Sequence, residues 1–312
     1  MAARKSVHTT SDKEVFRELS AALGNRLRPN VILAPYTTFG IGGKANYFYR
    51  AIKPDELVFA VRTAQKLKLR FLVLGGGSNV LVSDSGFGGL VIKNECRDIW
   101  VDHQTITCQS GALLDQTVKQ ALNYSLSGLE FAVGIPGTVG GAIRGNAGAF
   151  GRAVGYLLTK AVVLTRNNEI KEVERDFFRF GYRDSVLKRK GGIVLSATFG
   201  LREKDKSRIK KQMEEYLENR NSNLPWKERS AGCFFKNVVQ GGKKISAGYL
   251  LDQLGVKSMR VGGTQVSDRH ANFLINRKKA KAQDVKKLSS KLKRLVRNEF
   301  NINLEEEVVY IK

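Results

Sequence analysis

The amino-acid sequence predicts an α+β protein in two main parts, and three observations carry that reading. Short apolar strands alternate with amphipathic helices along 312 residues, a length that suits about two domains. The 31 glycines, against 5 prolines, gather into short apolar clusters rather than polar repeats, which marks tight turns and not a linker. The composition turns strongly charged over 203–220, so a domain boundary is expected near 200–220, with a second mixture of strands and helices beyond it.

Taken in order, residues 11–23 read as a short helix with Ser11 or Asp12 as cap. Residues 45–52 read as a strand. Pro54 and Asp55 then open a helix to about Leu69, with Leu57, Val61 and Ala64 on one face. Strands follow at 71–74, 80–82 and 90–93, the last set off by Gly86, Gly88 and Gly89. Residues 99–109 alternate as one strand and 112–126 form a helix. Further strands fall at 161–165, 170–173 and 193–200. After the charged helix at 203–220, strands at 233–237, 271–275 and 306–311 mix with helices at 246–254 and 283–300. No internal repeat is visible.

Several function classes are disfavoured by the residues alone. The N-terminal 20 residues hold no apolar core of signal-peptide length, and no stretch approaches the ~18 apolar residues of a membrane helix. A cytoplasmic protein without membrane insertion is expected. The three cysteines, Cys96, Cys108 and Cys233, form no CxxC pair, and His8, His103 and His270 lie far apart, so no metal site is expected. The net charge of +24 implies either an anionic partner or a solvated basic face. In the densest run, Arg277–Arg297, the apolar residues Val285, Leu288, Leu292 and Leu295 recur at helical spacing, which favours the solvated face. No RNA-binding aromatic signature accompanies it, so no specific nucleic-acid partner is expected.

Three glycine clusters suit a phosphate-bearing ligand: 37–43 (TTFGIGG), 75–79 (GGGSN) and 134–142 (GIPGTVGGA). Glycine lets backbone N–H groups approach a ligand and point the same way. The Walker pattern fails, because Thr38 and Asn237 stand where it needs glycine before Gly43-Lys44 and Gly242-Lys243. GxGxxG is absent from the strand–helix junctions, so a P-loop NTPase and a Rossmann domain are both disfavoured.

One ordered set of motifs is specific: TTFGIGGKA (37–45), LGGGSNVLVSD (74–84), GLEFAVGIPGTVGGAIRGNAGAFG (128–151), FGYRDS (180–185), RSAGCFFKN (229–237) and LEEEV (304–308). Together they resemble the UDP-N-acetylenolpyruvoylglucosamine reductase family from about residue 30 to the C-terminus. The segment 247–276 is similar to that family's C-terminal domain, and the short interval from Tyr182 to Cys233 resembles the shorter of its two types.

The resemblance implies a vanillyl-alcohol-oxidase, PCMH-type FAD-binding domain and a separate C-terminal α+β substrate-binding domain. The expected division is a helical lead over 1–30, an FAD-binding domain over 31–202 and a substrate-binding domain over 203–312, its last strand returning towards the active site. FAD would be lined by Thr38, Gly42, Gly75, Gly76, Gly77, Ser78, Asn79, Val80 and Leu81, with Gly134, Ile135, Pro136, Gly137, Gly140, Gly141, Ala142, Asn146 and Gly148. The implied reaction is NADPH-dependent, FAD-mediated reduction of UDP-N-acetylglucosamine enolpyruvate in peptidoglycan precursor synthesis. A monomer is the default expectation.

The resemblance also assigns the chemistry. Arg183 matches the catalytic arginine, and its forked, permanent charge suits a carboxylate; without the family context it would read as a surface partner of Asp184. Glu307 matches the catalytic glutamate and is expected to be protonated beside an anionic intermediate. Strand alternation leaves Glu305 as its substitute. Cys233 stands where the family usually has serine as proton donor, and a thiol can donate at neutral pH. Tyr182, Lys236 and Asn237 resemble substrate contacts. His270 and Asn272 read either as substrate contacts or as satisfied core residues. The family's proline after Asn237 is replaced by Val238.

Two other readings stay open at this level. A flavin oxidase of the vanillyl-alcohol type would share the glycine clusters but not YRDS, AGCFFKN and LEEEV together. A nucleic-acid-binding protein would explain the charge alone.

Overall fold

The computed structural model describes residues 12–312, so the Ser11 cap, His8 and the N-terminal ten residues lie outside the described residues. The helix Asp12–Leu23 packs Leu19 and Leu23 onto the strand Lys44–Ala51 and the helix Pro54–Lys66. Pro54 at the first helical position supplies a fixed φ where no N–H is needed, and Leu57, Val58, Ala60, Val61 and Ala64 turn inward.

The first sheet has four strands in the order Arg28–Ile32, Lys44–Ala51, Phe87–Asn94, Phe71–Leu74. The strand Phe87–Asn94 pairs in parallel with both of its neighbours. Parallel strands are buried on both faces, and Leu90, Val91 and Ile92 accordingly read as a continuous apolar run at 0% exposure. That strand begins at Phe87, through two glycines expected to separate strands. A Cβ on Gly89 would lie 2.2 Å from the Arg70 carbonyl oxygen, so glycine is what lets the neighbouring chain approach.

The second sheet is antiparallel, in the order Ile170–Glu174, Leu158–Leu164, Ile193–Gly200, Thr105–Gln109, Ile99–Asp102. The single strand expected over 99–109 is a hairpin. His103 adopts φ 45° at its tip, a conformation that nothing in the alternation signals. The charged helix Lys206–Asn223 buries only Ile209 and Met213, and both enter the cluster around this sheet with Leu114, Val118 and Phe131.

The third sheet runs Ser230–Cys233, Phe273–Asn276, Thr264–Val266, Arg260–Val261. The C-terminal helix Ala282–Phe300 packs Val285, Leu288, Leu292 and Val296 into the core shared with this sheet. Two expected strands differ here, one in position and one in length. The strand expected at 233–237 lies instead at Ser230–Cys233, and the last one, expected over 306–311, is Val309–Ile311, with Glu306 in an isolated bridge to Phe235. Val309–Ile311 then pairs in parallel with Val80–Val82, so the chain end is woven back beside the second glycine loop.

The second glycine loop touches the other two through backbone. A Cβ on Gly76 would lie 2.7 Å from the Gly137 Cα, and one on Gly77 only 2.1 Å from the Tyr36 carbonyl oxygen. The Thr38 N–H donates to the Gly77 carbonyl at 3.1 Å, and the Ser78 hydroxyl to the Pro136 carbonyl at 3.0 Å. Gly76→Ala is therefore expected to lower stability by about 1–3 kcal/mol through overpacking. Gly88→Ala, with nothing within 4 Å of the added carbon, is expected to change it by less than about 0.5 kcal/mol. Thermal unfolding of the two variants checks this; equal midpoints would show that the loops are free to separate.

Candidate active site

Tyr182 and Arg183 occupy the tip of a tight turn closed by paired hydrogen bonds between Gly181 and Asp184, at 3.1 and 3.3 Å. Arg183 sits at φ 55°, the left-handed region, which costs a branched-out side chain roughly 1–2 kcal/mol. Two residues expected beside the cofactor fix this turn. Asn146 donates from Nδ2 to the Gly181 carbonyl at 2.8 Å and accepts the Gly155 N–H at 3.1 Å. The Gly148 carbonyl accepts from Arg183 Nη1 at 2.9 Å. Asp184 pairs with Arg189 instead of with Arg183.

Arg183 turns instead to Glu307, with Nε 2.9 Å from Oε1. The contact is an ion pair without hydrogen-bond alignment, since that buried Nε has no aligned acceptor. Burial raises the Glu307 carboxyl above its ordinary value, and Arg183 opposes the shift without cancelling it. The three consecutive glutamates separate cleanly. Glu305, 74% exposed, pairs with Lys236 at 2.9 Å, and Glu306 accepts from the buried Ser289 hydroxyl of the C-terminal helix at 2.6 Å. Of the three, Glu307 is the one paired with Arg183. Its backbone is held from two sides: its N–H donates to the Phe234 carbonyl at 2.8 Å, and its carbonyl accepts from Asn79 Nδ2 at 3.3 Å.

Cys233 joins the same electrostatic cluster, with Glu307, Arg183 and Arg220 as its charged neighbours. Burial, and then the Glu307 charge, push its thiol up to about 12, so it is protonated at neutral pH. Cys96 and Cys108 are buried thiols far from this group in the chain, the first bonding the Ala51 carbonyl and the second the Thr117 hydroxyl. The segment after Cys233 is clamped by Asn272, 2% exposed. Its Oδ1 accepts the Phe235 N–H and its Nδ2 donates to the Phe235 carbonyl, both at 2.9 Å. Asn272 is thus a satisfied core residue. His270 accepts the Asn272 N–H at Nδ1 and is driven towards the neutral form by burial.

Tyr182, 46% exposed, accepts the Asn237 N–H at its hydroxyl, 3.3 Å away, which brings the three expected substrate contacts Tyr182, Lys236 and Asn237 to one rim. Sequence reasoning missed Arg220, Lys188 and Lys93. Arg220 stacks over Trp226 at 5.2 Å and bonds the Gly134 carbonyl, its Nε left without a partner. Lys188 donates to the Arg183 carbonyl at 3.1 Å, and Lys93 to the Gly75 carbonyl. All three are basic residues in charged or apolar runs, and no local pattern distinguishes them from the other lysines and arginines.

The residues lining the glycine loops divide into two kinds. In the loop Gly75–Asn79, the N–H groups of Gly76, Gly77, Ser78 and Asn79 bond to no acceptor among the described residues. Four such donors on a closely packed turn are what a pyrophosphate needs, so the residues present fit FAD. The amides of Val139, Gly140, Gly141 and Ala142 are instead used internally, by Ala112, Ser110 and Thr138. Gly137 and Gly140 serve there through close approach, each allowing a neighbour within 2.8 Å of a Cβ position. Thr38 bonds the Ser230 carbonyl at 2.6 Å, and Gly42 lies against Val82. Val80 and Leu81 stand in the strand paired with the chain end, and the Leu81 side chain is wholly buried in the C-terminal core. Ile135 and Pro136 pack against the second sheet's core and hold Ser78, respectively. Among the described residues, no group of His, Cys, Asp or Glu could hold a metal ion, and no helix is long and apolar enough to cross a membrane.

A glycine-lined donor loop beside a half-buried arginine, acid and thiol defines a flavin-dependent oxidoreductase, and residues 45–174 match the FAD binding domain family model. Residues 224–311 match the model of the UDP-N-acetylenolpyruvoylglucosamine reductase C-terminal domain. The chain is 34% identical over 283 residues to the UDP-N-acetylenolpyruvoylglucosamine reductase of Clostridium novyi, covering 90% of this chain and 91% of that one. It is 36% identical over 298 residues to reductase 2 of Bacillus cereus, covering 95% and 96%. The crystal structure of the Thermus caldophilus enzyme superposes with a TM-score of 0.77 at 34% identity, over 92% of this chain and 100% of that one. The chain belongs to the UDP-N-acetylenolpyruvoylglucosamine reductase family.

Because its folded-state value is raised, Glu307 favours folding while protonated. That contribution is complete below about pH 4.5, the unfolded value, and is lost as pH rises through the folded value. Glu307→Gln cannot ionise, so its thermal midpoint is expected to gain on wild type from pH 4.5 to 8 and to converge with it near pH 4. A wild type that gains on the variant with rising pH would show that the Arg183 pair outweighs burial.

Proposed function

We propose that this chain reduces UDP-N-acetylglucosamine enolpyruvate to UDP-N-acetylmuramate, with FAD as cofactor and NADPH as reductant, as a cytoplasmic monomer in peptidoglycan precursor synthesis. The observation that carries this is the meeting of Arg183, Cys233 and Glu307, from three distant stretches of chain, around one ion pair. We place the division between the cofactor part, 31–202, and the substrate part, 203–312, with the helix Lys206–Asn223 packing back on the first.

The loop Gly75–Asn79 would hold the FAD pyrophosphate through its free amides, with Lys93 near its base. Bound FAD supplies hydride acceptance from NADPH and hydride delivery to the enolpyruvyl methylene carbon. The chain's own residues then handle charge and proton. Arg183, fixed by its turn and by the Gly148 carbonyl, balances the charge that develops on the substrate carboxylate and adjacent carbon. Glu307 shares that guanidinium, and its raised affinity for a proton keeps a second negative charge from the developing one. Cys233 gives its proton to the carbon. A carbanion is a far stronger base than a thiolate, so transfer is downhill even from a thiol near 12, and the cations of Arg183 and Arg220 stabilise the thiolate left behind.

The net charge of +24 aids capture of the two polyanionic nucleotides. No nucleic-acid partner is proposed. The match of 224–311 to the reductase C-terminal domain separates this reading from a vanillyl-alcohol-type oxidase.

NADPH oxidation that depends on the enolpyruvyl substrate, in a yellow preparation, tests the activity. Cys233→Ser should keep substantial turnover. Cys233→Ala should keep flavin reduction by NADPH while losing flavin reoxidation by substrate, by about 10²–10⁴-fold, the usual worth of a positioned proton donor. Normal reoxidation in stopped-flow traces of the alanine variant would remove the donor assignment.

A further inference from the structure

The strands Val238–Gln240 and Lys243–Ile245 form a hairpin that, among the described residues, pairs with no other strand. It begins where the family's proline is replaced by Val238, and it turns through Gly241 and Gly242 at φ 56° and 74°, the twist a two-residue hairpin prefers. Its register places Val238 opposite Ile245, Val239 opposite Lys244 and Gln240 opposite Lys243, so cross-strand partners share a face. Val238 and Ile245 pack onto the C-terminal core. The opposite face carries Val239, 69% exposed, and Lys244.

Lys244 Nζ lies 4.4 Å from the centre of the Tyr182 ring, whose other near cation is Arg183, with Cζ at 5.7 Å. The Asn237 N–H at the base of the hairpin donates to the Tyr182 hydroxyl. The acids on this rim are already engaged, Glu305 by Lys236 and Glu307 by Arg183. Among the described residues Lys244 has no carboxylate within ion-pair distance. A two-stranded ribbon adds little stability by itself. What this one does is carry an uncompensated cation to the tyrosine that flanks the catalytic arginine.

We propose that the hairpin 238–245 is a wall of the nucleotide-binding cleft, and that Lys244 exchanges its contact with the Tyr182 ring for the diphosphate of the bound nucleotide. This rests on the reductase reading, which supplies two diphosphate-bearing ligands, the nucleotide sugar and NADPH. An aromatic face holds an exposed cation by only ~0.5–1 kcal/mol, so an arriving diphosphate displaces it readily. The alternation of the ribbon makes the assignment specific: Lys243, one residue away, points to the other face.

The experiment compares Lys244→Gln with Lys243→Gln in the FAD-loaded enzyme, by steady-state kinetics and by separate flavin reduction and reoxidation. Lys244→Gln should raise the KM of one nucleotide about tenfold, flatten the salt dependence of that KM and leave kcat within about twofold, the signature of lost binding shared by ground and transition states. Lys243→Gln should leave all three unchanged. The affected half-reaction identifies the ligand: reduction for NADPH, reoxidation for the nucleotide sugar. Wild-type KM values in Lys244→Gln, or equal effects of the two substitutions, would overturn the assignment. A wild-type enzyme inert towards the enolpyruvyl substrate would instead remove the reductase reading.

Discussion

Backbone lying directly on backbone at the three glycine loops is the constraint on which the rest depends. Where Gly76 meets Gly137 and Gly77 meets Tyr36, no side chain fits between the strands of polypeptide. Interiors are packed at near-crystalline density, so such contacts fix position to a fraction of an ångström. The free amides of Gly76–Asn79 are thereby held rigid before any ligand arrives, which removes an ordering cost from binding. The other glycine loop supports this arrangement through close packing and internal bonds, not through free donors.

The second requirement is delivery of the chain end. Asp84, just past the second glycine loop, accepts the N–H groups of Ala282 and Gln283 at 2.7 and 3.0 Å. A carboxylate there complements the positive end of a 19-residue helix and ties the two parts together. The helix buries Ser289, which takes Glu306, and Val309–Ile311 then joins Val80–Val82. With Glu306 anchored on one side and the strand begun on the other, Glu307 has one direction left, towards Arg183.

Arg183 combines an unfavourable backbone with a partly desolvated charge. Its φ of 55° is tolerated because Asn146, the Gly181–Asp184 turn and Lys188 each bond the surrounding backbone. A side chain so constrained meets a carboxylate without first losing conformational freedom. Cys233 occupies the same field without direct bonding, so its protonation is governed by burial and by the charges around it.

Much of this was legible along the chain. Period and punctuation located the helix from Pro54, the C-terminal helix and the strands at 71–74, 80–82 and 193–200, because those signals are local: an apolar stripe, a proline, a glycine. The ordered motifs named Arg183, Cys233 and Glu307 and the cofactor class. Hidden were the turn at His103, the strand running through Gly88 and Gly89, and the roles of Lys93, Lys188, Arg220 and Lys244. Each of these depends on a partner remote in sequence, such as the Arg70 carbonyl behind Gly89 or the Tyr182 ring beneath Lys244. The sequence by itself determined which segments fold and which residue types are on hand. Only the tertiary structure decided which of three adjacent glutamates faces the arginine and which glycine amides stay free, because burial and hydrogen-bond occupancy are properties of packed neighbours, not of the chain.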